Sequence, residues 1–431
     1  MDSRIKRTAT ALAVASALAL PAVASAGEVK TGTAEGLTIK GFVIASLYMQ
    51  DNDFAFSNGQ AAQWTTTDRS TDEWIFGGDV RNTRITLAFN GPDAAGMKFG
   101  GAIEADFFGG FNGAGAFSDE QQTPRLRLAY VDVIRGKTTF RIGQFWSPMF
   151  GNVPASPTHV AFPLGYGTGM PGWRFPGLFI YHDFGGSDTL KTKLSLAMMR
   201  GSWSGPGNNL NDGSAGEAGT PQFEARLDLT GKSWSAYLVG HYDSKDCDGA
   251  NDSFPSACPG TSDDSLDGTA IEFGAKVKFG AFTLAGNIYN GTAIGQQFGH
   301  ITQFGDISST GGWVQGSFQF NPNWAAHLFY GLDDPEDDDV IATIPNPVLS
   351  ASAPTTPVST SPVAARLKNE QIAASVMYSN GPYVLGVEWL NSSLDGRGKT
   401  TSPGAEGPVT VVNPVANWDG NQLSFSVWYK F

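Results

Sequence analysis

Six charged side chains sit at alternate positions in segments whose intervening residues are apolar. Arg84 precedes Ile85 and Leu87, Arg125 and Arg127 flank Leu126 and precede Leu128, and Arg141 lies between Phe140 and Ile142; Glu104 and Asp106 occupy the segment between them. In a β-strand successive side chains point to opposite faces, so the charges share one face and the apolar residues the other. Such a face is an electrostatic lining, in which rows of arginine favour anions. Glu104 and Asp106 fall at about the heights of Arg127 and Arg125, so those two arginines are expected to be paired. Arg84 and Arg141 are left over, with Lys98, Lys191, Lys193, Lys276 and Lys278 toward one end of the strands. A lean toward anions follows, with no preference or a weak cation preference as the alternative.

Catalytic chemistry has little support. The histidines are His159, His182, His241, His300 and His327; His182-Asp183 is the one adjacent acid pair, and no G-x-S-x-G or H-E-x-x-H motif is present. The chain is expected not to be an enzyme, with a barrel hydrolase, adhesin or structural barrel as competing classes. Nucleic-acid binding is disfavoured by a net charge of −13 and a pI near 4.8.

The segment from Trp146 to Pro176 contains Pro148, Pro154, Pro157, Pro163 and Pro171, many glycines, and no Asp or Glu. A loop of this kind packs by its own side chains and keeps a fixed shape, as a size filter requires. Trp146, Ser147, Phe150, His159, Phe162, Tyr166, Trp173 and Arg174 are the residues expected to form a constriction.

The elements that must position these residues are strands. Charged residues make up 16% of the 431 residues, against roughly 25% in an average soluble domain. After the first 26 residues no apolar run reaches the length of about 18 that a helical span needs. Period-2 alternation dominates instead, as in Ile271, Phe273, Ala275, Val277 and Phe279 against Glu272, Gly274, Lys276 and Lys278. Short turns are expected near Asn90–Gly96, Arg135–Lys137, Gly185–Asp188, Thr230–Ser233, Gly280–Ala281, Asn321–Asn323 and Asn380–Pro382. They alternate with long segments near 50–78, 109–122, 145–176, 200–221, 243–267, 290–311, 333–369 and 391–421. This predicts an all-β, transmembrane antiparallel β-barrel of about sixteen strands with the third loop folded inward; fourteen or eighteen strands would also fit. No segment is long enough to be a plug domain, so passage of small polar solutes through a water-filled lumen is the expected function. Aromatics cluster beside the short turns (Phe89, Phe99, Trp234, Phe279, Phe282, Phe320, Trp324, Tyr378, Tyr383, Phe431), as in an interfacial girdle.

Residues 1–26 read as an export signal, with Arg4, Lys6 and Arg7, an Ala/Leu-rich core and Ala24-Ser25-Ala26 as the cleavage site. Residues 27–36 then form a short periplasmic segment and 37–431 the barrel. In an oxidising compartment Cys247 and Cys258 are expected to pair, a link worth about 2–3 kcal/mol for so small a loop, with a metal site as the lesser alternative. No cofactor is expected. The acids Asp243, Asp246, Asp248, Asp252, Asp263, Asp264 and Asp267, and Asp333, Asp334, Glu336, Asp337, Asp338 and Asp339, are expected on two flexible loops, as solvated charge or as weak Ca²⁺ or Mg²⁺ sites that bridge to lipopolysaccharide.

The C-terminal alternation of Leu423, Phe425, Val427, Tyr429 and Phe431 resembles the signal by which bacterial outer-membrane proteins are recognised by the barrel assembly machinery. The mature chain as a whole resembles Gram-negative outer-membrane porins. It is most similar to the DcaP-like branch through Ile103-Glu104-Ala105-Asp106-Phe107-Phe108-Gly109, Leu126-Arg127-Leu128-Ala129-Tyr130 and Gly143-Gln144-Phe145-Trp146-Ser147. The resemblance implies a homotrimer in outer-membrane lipid, a third loop that constricts each pore, and uptake of small carboxylates or other anions. It carries Arg127 across as a pore-wall residue and Trp146-Ser147 as constriction residues. Members of that branch can carry an N-terminal helical extension, and this chain has no heptad segment after the signal.

Overall fold

A computed structural model of the chain describes residues 28–29, 36–54, 58–65, 73–109, 122–187, 189–201, 221–246, 265–295, 297, 301, 305–344, 358–359 and 365–431. The export signal, Cys247, Cys258, His300 and the acids Asp248, Asp252, Asp263 and Asp264 lie outside the described residues.

Sixteen antiparallel staves form one closed wall. They are β1 (Gly36–Gln50), β2 (Ile75–Asp79 continued by Arg84–Asn90), β3 (Lys98–Asp106), β4 (Arg125–Arg135), β5 (Thr138–Trp146), β6 (Arg174–Ser187), β7 (Leu190–Met199) and β8 (Gln222–Thr230). The second half comprises β9 (Trp234–Asp246), β10 (Ser265–Phe279), β11 (Phe282–Thr292), β12 (Ser308–Gln319), β13 (Trp324–Pro335), β14 (Ala365–Asn380), β15 (Tyr383–Arg397) and β16 (Ala416–Lys430). Each stave pairs with the next, and the last returns to the first through Phe42↔Lys430 to Gln50↔Gln422. Tight turns such as Gly136–Lys137, Gly280–Ala281 and Gly381–Pro382 join strands at the end where β1 begins and β16 ends, and long loops join them at the other. The described strand ends fall, to within a few residues, at the seven turns and eight loops expected from the sequence.

Every stave carries an apolar outer row. Ile142 is 62% exposed while its neighbour Arg141 is 5% exposed, and the same contrast separates Val43 from Ile44, Leu238 from Val239 and Phe425 from Ser426. The outward set of Val, Ile, Leu and Phe is a surface made for hydrocarbon, and closure leaves no strand edge to be satisfied by water. Near the short turns the outer row becomes aromatic: Phe279 with Phe282, Phe318 with Phe320, Trp324 with Tyr378 and Tyr383 with Tyr429 have ring centroids 4.9–5.4 Å apart.

Three irregularities change which residues face inward. In β2 the residues Val80 to Thr83 stand opposite only three residues of β1, so Asp79 and Arg84 both turn inward. In β4 the register with β3 steps from Glu104↔Leu128 to Ala105↔Leu126, which leaves Arg127 as the extra residue of a β-bulge. Leu128, expected on the lipid face, is instead buried with Phe145, Phe175 and Phe179. From Tyr130 onward the inward parity is even, and Val131 faces out. A third shift lies between Asp183 and Gly185.

Two expectations about the ends and the acidic loops are revised. Glu28–Val29 pairs with Thr38 and Leu37 as a short added strand. Asp243 and Asp333 are not loop carboxylates: both are buried in the wall, Asp243 beside His241 and Asp333 hydrogen-bonded by the Tyr289 hydroxyl. Strand alternation continues further toward the loops than composition suggests. Asp337, Asp338 and Asp339 open a helix of about two turns, α1 (Asp337–Thr343), where the acids meet the positive end of the helix dipole.

The barrel closes where Gly41 and Phe431 exchange two backbone hydrogen bonds of 3.0 Å. A Cβ on Gly41 would stand 2.1 Å from the carbonyl oxygen of Arg84. Gly41→Val is therefore expected to lower the fraction of chain that refolds into detergent micelles, read as loss of the heat-modifiable band on unboiled gels, while Gly240→Val, whose Cβ meets nothing, leaves that fraction unchanged.

Candidate functional site

The inward charges of β2 to β5 form one hydrogen-bonded lattice. Asp106 receives Arg125 through Nε and Nη2 at 3.0 and 2.7 Å, and Arg127 through Nη1 at 2.9 Å. Glu104 receives Arg127 Nε at 2.8 Å and the Thr86 hydroxyl at 3.1 Å, while Arg84 Nε stands 3.8 Å away. The pairing of Arg125 and Arg127 foreseen from strand height is present, with Arg127 spanning both acids. Arg141 is not left over: it donates two 2.7 Å bonds to Asp132 and lies 3.7 and 3.9 Å from the ring centres of Tyr130 and Phe145. Simple alternation on β4 puts Asp132 on the lipid face; the bulge at Arg127 turns it inward.

The third long loop, L3 (residues 147–173), lies against inward-facing residues around most of the wall. In chain order, Met149 N donates to Glu224 on β8, and Asn152 Nδ2 to the carbonyls of Ala275 and Gly286 on β10 and β11. Ala155 exchanges two bonds with Gln315 on β12, and Ser156 Oγ donates to Glu388 on β15 at 2.9 Å. Thr158 meets Ser424 and Ser426 on β16, where Trp428 Nε1 also donates to the Pro157 carbonyl. Asn82, buried in the break of β2, donates to the Thr158 carbonyl and accepts from Ala161 N. The chain then crosses back, with Gly167 and Gly169 carbonyls held by Asn369 and Asn287. Gly169 has φ +88°, and a Cβ there would meet the backbone of Gly312 at 1.9 Å, so only glycine lets this segment seat on β12.

The sequence-derived constriction residues take distinct places in this path. Trp146 ends β5 and stacks on Phe150 at 3.7 Å. Ser147 Oγ donates to Gln297 at 3.0 Å. His159 Nδ1 is 2.8 Å from Glu388, the acid that also holds Ser156. Phe162 lies edge-on to Phe108 and under the Arg125 guanidinium at 5.0 Å. Tyr166 is fully buried and donates to the Gly172 carbonyl at 2.9 Å; burial pushes its phenol up, so it remains a neutral donor. Trp173 lies beside Arg174, which opens β6 rather than belonging to the loop.

Two further loops enter the lumen, contrary to the expectation of a clear passage. In the first long loop Gln60 donates to Ser46 and Asp79, the Gln63 carbonyl accepts from Gln371, and Trp64 packs on Ile301 and Leu394. In the sixth, Gln297 donates to Gln222 and Glu224, and Ile301 N to Asp333 at 2.6 Å. A buried cluster of Phe54, Phe108, Phe162, Leu164, Tyr166, Met170, Trp313 and Phe329 fills the space where the first and third loops meet the wall.

Four inward acids of the loop side serve as loop anchors: Asp79, Glu224, Asp333 and Glu388 each accept from loop donors. Toward the turn side, Lys40, Lys98, Lys191, Lys276 and Lys278 share the inward parity, and among the described residues none has a carboxylate within ion-pair distance. Lys193 is loosely paired with Asp228 at 3.9 Å.

Solved structures similar to this chain include outer-membrane porins and channels. The outer-membrane channel DcaP of Acinetobacter baumannii superposes with a TM-score of 0.64 at 18% identity, covering 94% of this chain and 99% of that one. An anion-selective porin from Comamonas acidovorans gives 0.55 at 13% identity over 92% and 99%. OmpF of Salmonella typhi, in complex with daunomycin, gives 0.54 at 11% over 94% and 100%. No protein-family model matches the chain, and no curated sequence does. The chain therefore has the fold of an outer-membrane porin. Within that class it is similar to the DcaP channel over almost its full length.

Glu388 holds two L3 donors, so Glu388→Ala is expected to leave His159 and Ser156 unsatisfied, at a cost of about 1–3 kcal/mol. Single-channel recordings should then show larger and noisier conductance than wild type; an unchanged conductance would mean that L3 does not define the narrow part of the pore.

Proposed function

We propose that the chain is a passive porin of the Gram-negative outer membrane, admitting small hydrophilic solutes and leaning toward anions such as small carboxylates. The observation that carries this reading is the segregation of charge in the lumen. On the loop side Asp79, Glu224, Asp333 and Glu388 are hydrogen-bonded by donors from L3 and the first and sixth loops, whereas Lys40, Lys98, Lys191, Lys276 and Lys278 at the turn-side mouth have no carboxylate within ion-pair distance among the described residues. A lumen whose accessible charge is positive raises the local concentration of anions and lowers their entry barrier. The absence of Asp and Glu from L3 acts in the same direction.

L3 serves in this reading as the constriction, with Trp146, Phe150, Phe162 and Trp173 as its aromatic border. The arginines 84, 125, 127 and 141 form the facing wall. Assembly is as a homotrimer surrounded by lipid and lipopolysaccharide, with Tyr429 and Phe431 as the part read by the assembly machinery. Similarity to the anion-selective porin, and to a Vibrio cholerae outer-membrane protein, OmpT, solved in a trimer form (TM-score 0.50, 11% identity, 92% and 99% covered), supports both parts of this reading.

Planar-bilayer reversal potentials in a KCl gradient test it. Wild type should favour chloride, and the triple change Lys191→Glu, Lys276→Glu and Lys278→Glu should move the potential toward or past zero. A clear K⁺ preference of the wild type would overturn the anion lean, and absence of channel current would favour an adhesin or structural barrel.

A further inference from the structure

The first long loop enters the lumen with two unequal parts. At its root Gly59 exchanges two hydrogen bonds with the Gln422 side chain. Gln60 beside it is fully bonded: its N donates to Asp79, its Nε2 to Ser46 and the Asp79 carbonyl, and its Oε1 accepts from Asn82 N. Three residues on, at the tip, the match fails. Gln63 is buried, yet neither its Oε1 nor its Nε2 has a hydrogen-bond partner among the described residues.

The wall beneath the tip repeats the mismatch. Asn287, Trp313, Gly331 and Gln371 are cross-strand neighbours at one height on β11 to β14. Thr168 of L3 lies over Gly331, where a Cβ would meet its Oγ1 at 2.8 Å. Asn287 Oδ1, Trp313 Nε1, Thr168 Oγ1 and Gln371 Oε1 are likewise buried and unpartnered among the described residues. This belt is uncharged and holds both donors and acceptors. Each polar group held away from water without a partner opposes the seating of the loop. Holding the tip down are the bond from Gln371 Nε2 to the Gln63 carbonyl at 2.9 Å and that from Thr65 Oγ1 to the Trp418 carbonyl at 3.1 Å, with Trp64 packed on Ile301 and Leu394.

We infer that residues 61–65 form an autoinhibitory contact: the tip seats in the lumen on an under-bonded belt and lifts from it about the well-anchored Gly59–Gln60 root. Seated, the tip narrows the passage beside L3; lifted, it leaves the belt to water or to an uncharged polar solute and widens the passage. Such segments come from the low-stability end of a structure, and here the source of low stability is a set of named atoms. The inference rests on the channel reading only in its electrical readout.

The test uses the full chain, in planar bilayers and folded in detergent. Single-channel recordings of wild type should switch between two conductance levels. Gln63→Leu removes two unpartnered atoms from the seat and should lengthen dwell in the lower level by about tenfold. Trp64→Ala removes the ring that packs the tip down and should lengthen dwell in the upper level instead. Hydrogen exchange of the backbone amides of residues 61–65 in detergent should follow the same signs, slower in Gln63→Leu and faster in Trp64→Ala. Equal dwell times and exchange rates in wild type and both variants overturn the inference. So does a Gln63→Leu tip that lifts more often, as loss of an anchor would produce. Absence of channel current overturns the porin reading alone, and the exchange rates then decide the inference. If Gln63→Leu yields no folded barrel, Thr168→Val, which removes another unpartnered atom of the seat, decides it by the same sign.

Discussion

A strand wall in hydrocarbon has no water to satisfy an open edge, and every other feature of this molecule follows from meeting that condition by closure. The seam from Phe42↔Lys430 to Gln50↔Gln422, sealed by Gly41 and Phe431, forces the sixteen staves into a ring. Once the ring is closed, alternate side chains have no choice but lipid or lumen. Sparse charge, abundant aromatics and the absence of apolar blocks are consequences of giving each strand one face of each kind.

Closure also creates the second problem, an enclosed space whose polar lining must be hydrogen-bonded. The solution is to bring loops inside. Glu224, Glu388, Asp333 and Asp79 reach into the lumen, and backbone N–H groups and short polar side chains of three loops answer them. A carboxylate buried without donors is costly, so the wall and the loops specify each other: removing either leaves the other unsatisfied. The glycines of L3 belong to the same arrangement, because Gly151 and Gly169 pass so near Tyr237 and Gly312 that a side chain would hold the loop off the wall.

Charge in the lumen is consequently not what a count of residues suggests. Much of the acidity lies in loops and in wall acids held by loop donors, while among the described residues Lys40, Lys98, Lys191, Lys276 and Lys278 near the turn-side mouth have no carboxylate within ion-pair distance. Of the arginines beside L3, Arg125, Arg127 and Arg141 are locked by Glu104, Asp106 and Asp132, Arg84 reaches Glu104 only at 3.8 Å, and Arg174 lies against the rings of Trp146 and Trp173.

Much of this was legible without coordinates. Period-2 alternation reports the two environments of a strand directly, so the sixteen staves, their loop asymmetry, the inward direction of Arg84, Arg125, Arg127 and Arg141, and the Arg125 and Arg127 pairing followed from residue type and spacing. The partner of Arg141 did not, because one extra residue at Arg127 reverses the parity of β4 and turns Asp132 inward and Leu128 away from lipid. Asp243 and Asp333 read as loop acids because their neighbours are polar, yet each is anchored in the wall, Asp243 by His241 on its own strand and Asp333 by Tyr289 two strands away. Which loops enter the lumen, and which wall groups they hold, was decided by contacts between residues more than 300 positions apart, such as Gln371 with the Gln63 carbonyl. Sequence alone determines the wall, because a strand's environment is written in its nearest neighbours; the furnishing of the lumen is decided by tertiary structure, because register shifts and long-range hydrogen bonds leave no local pattern.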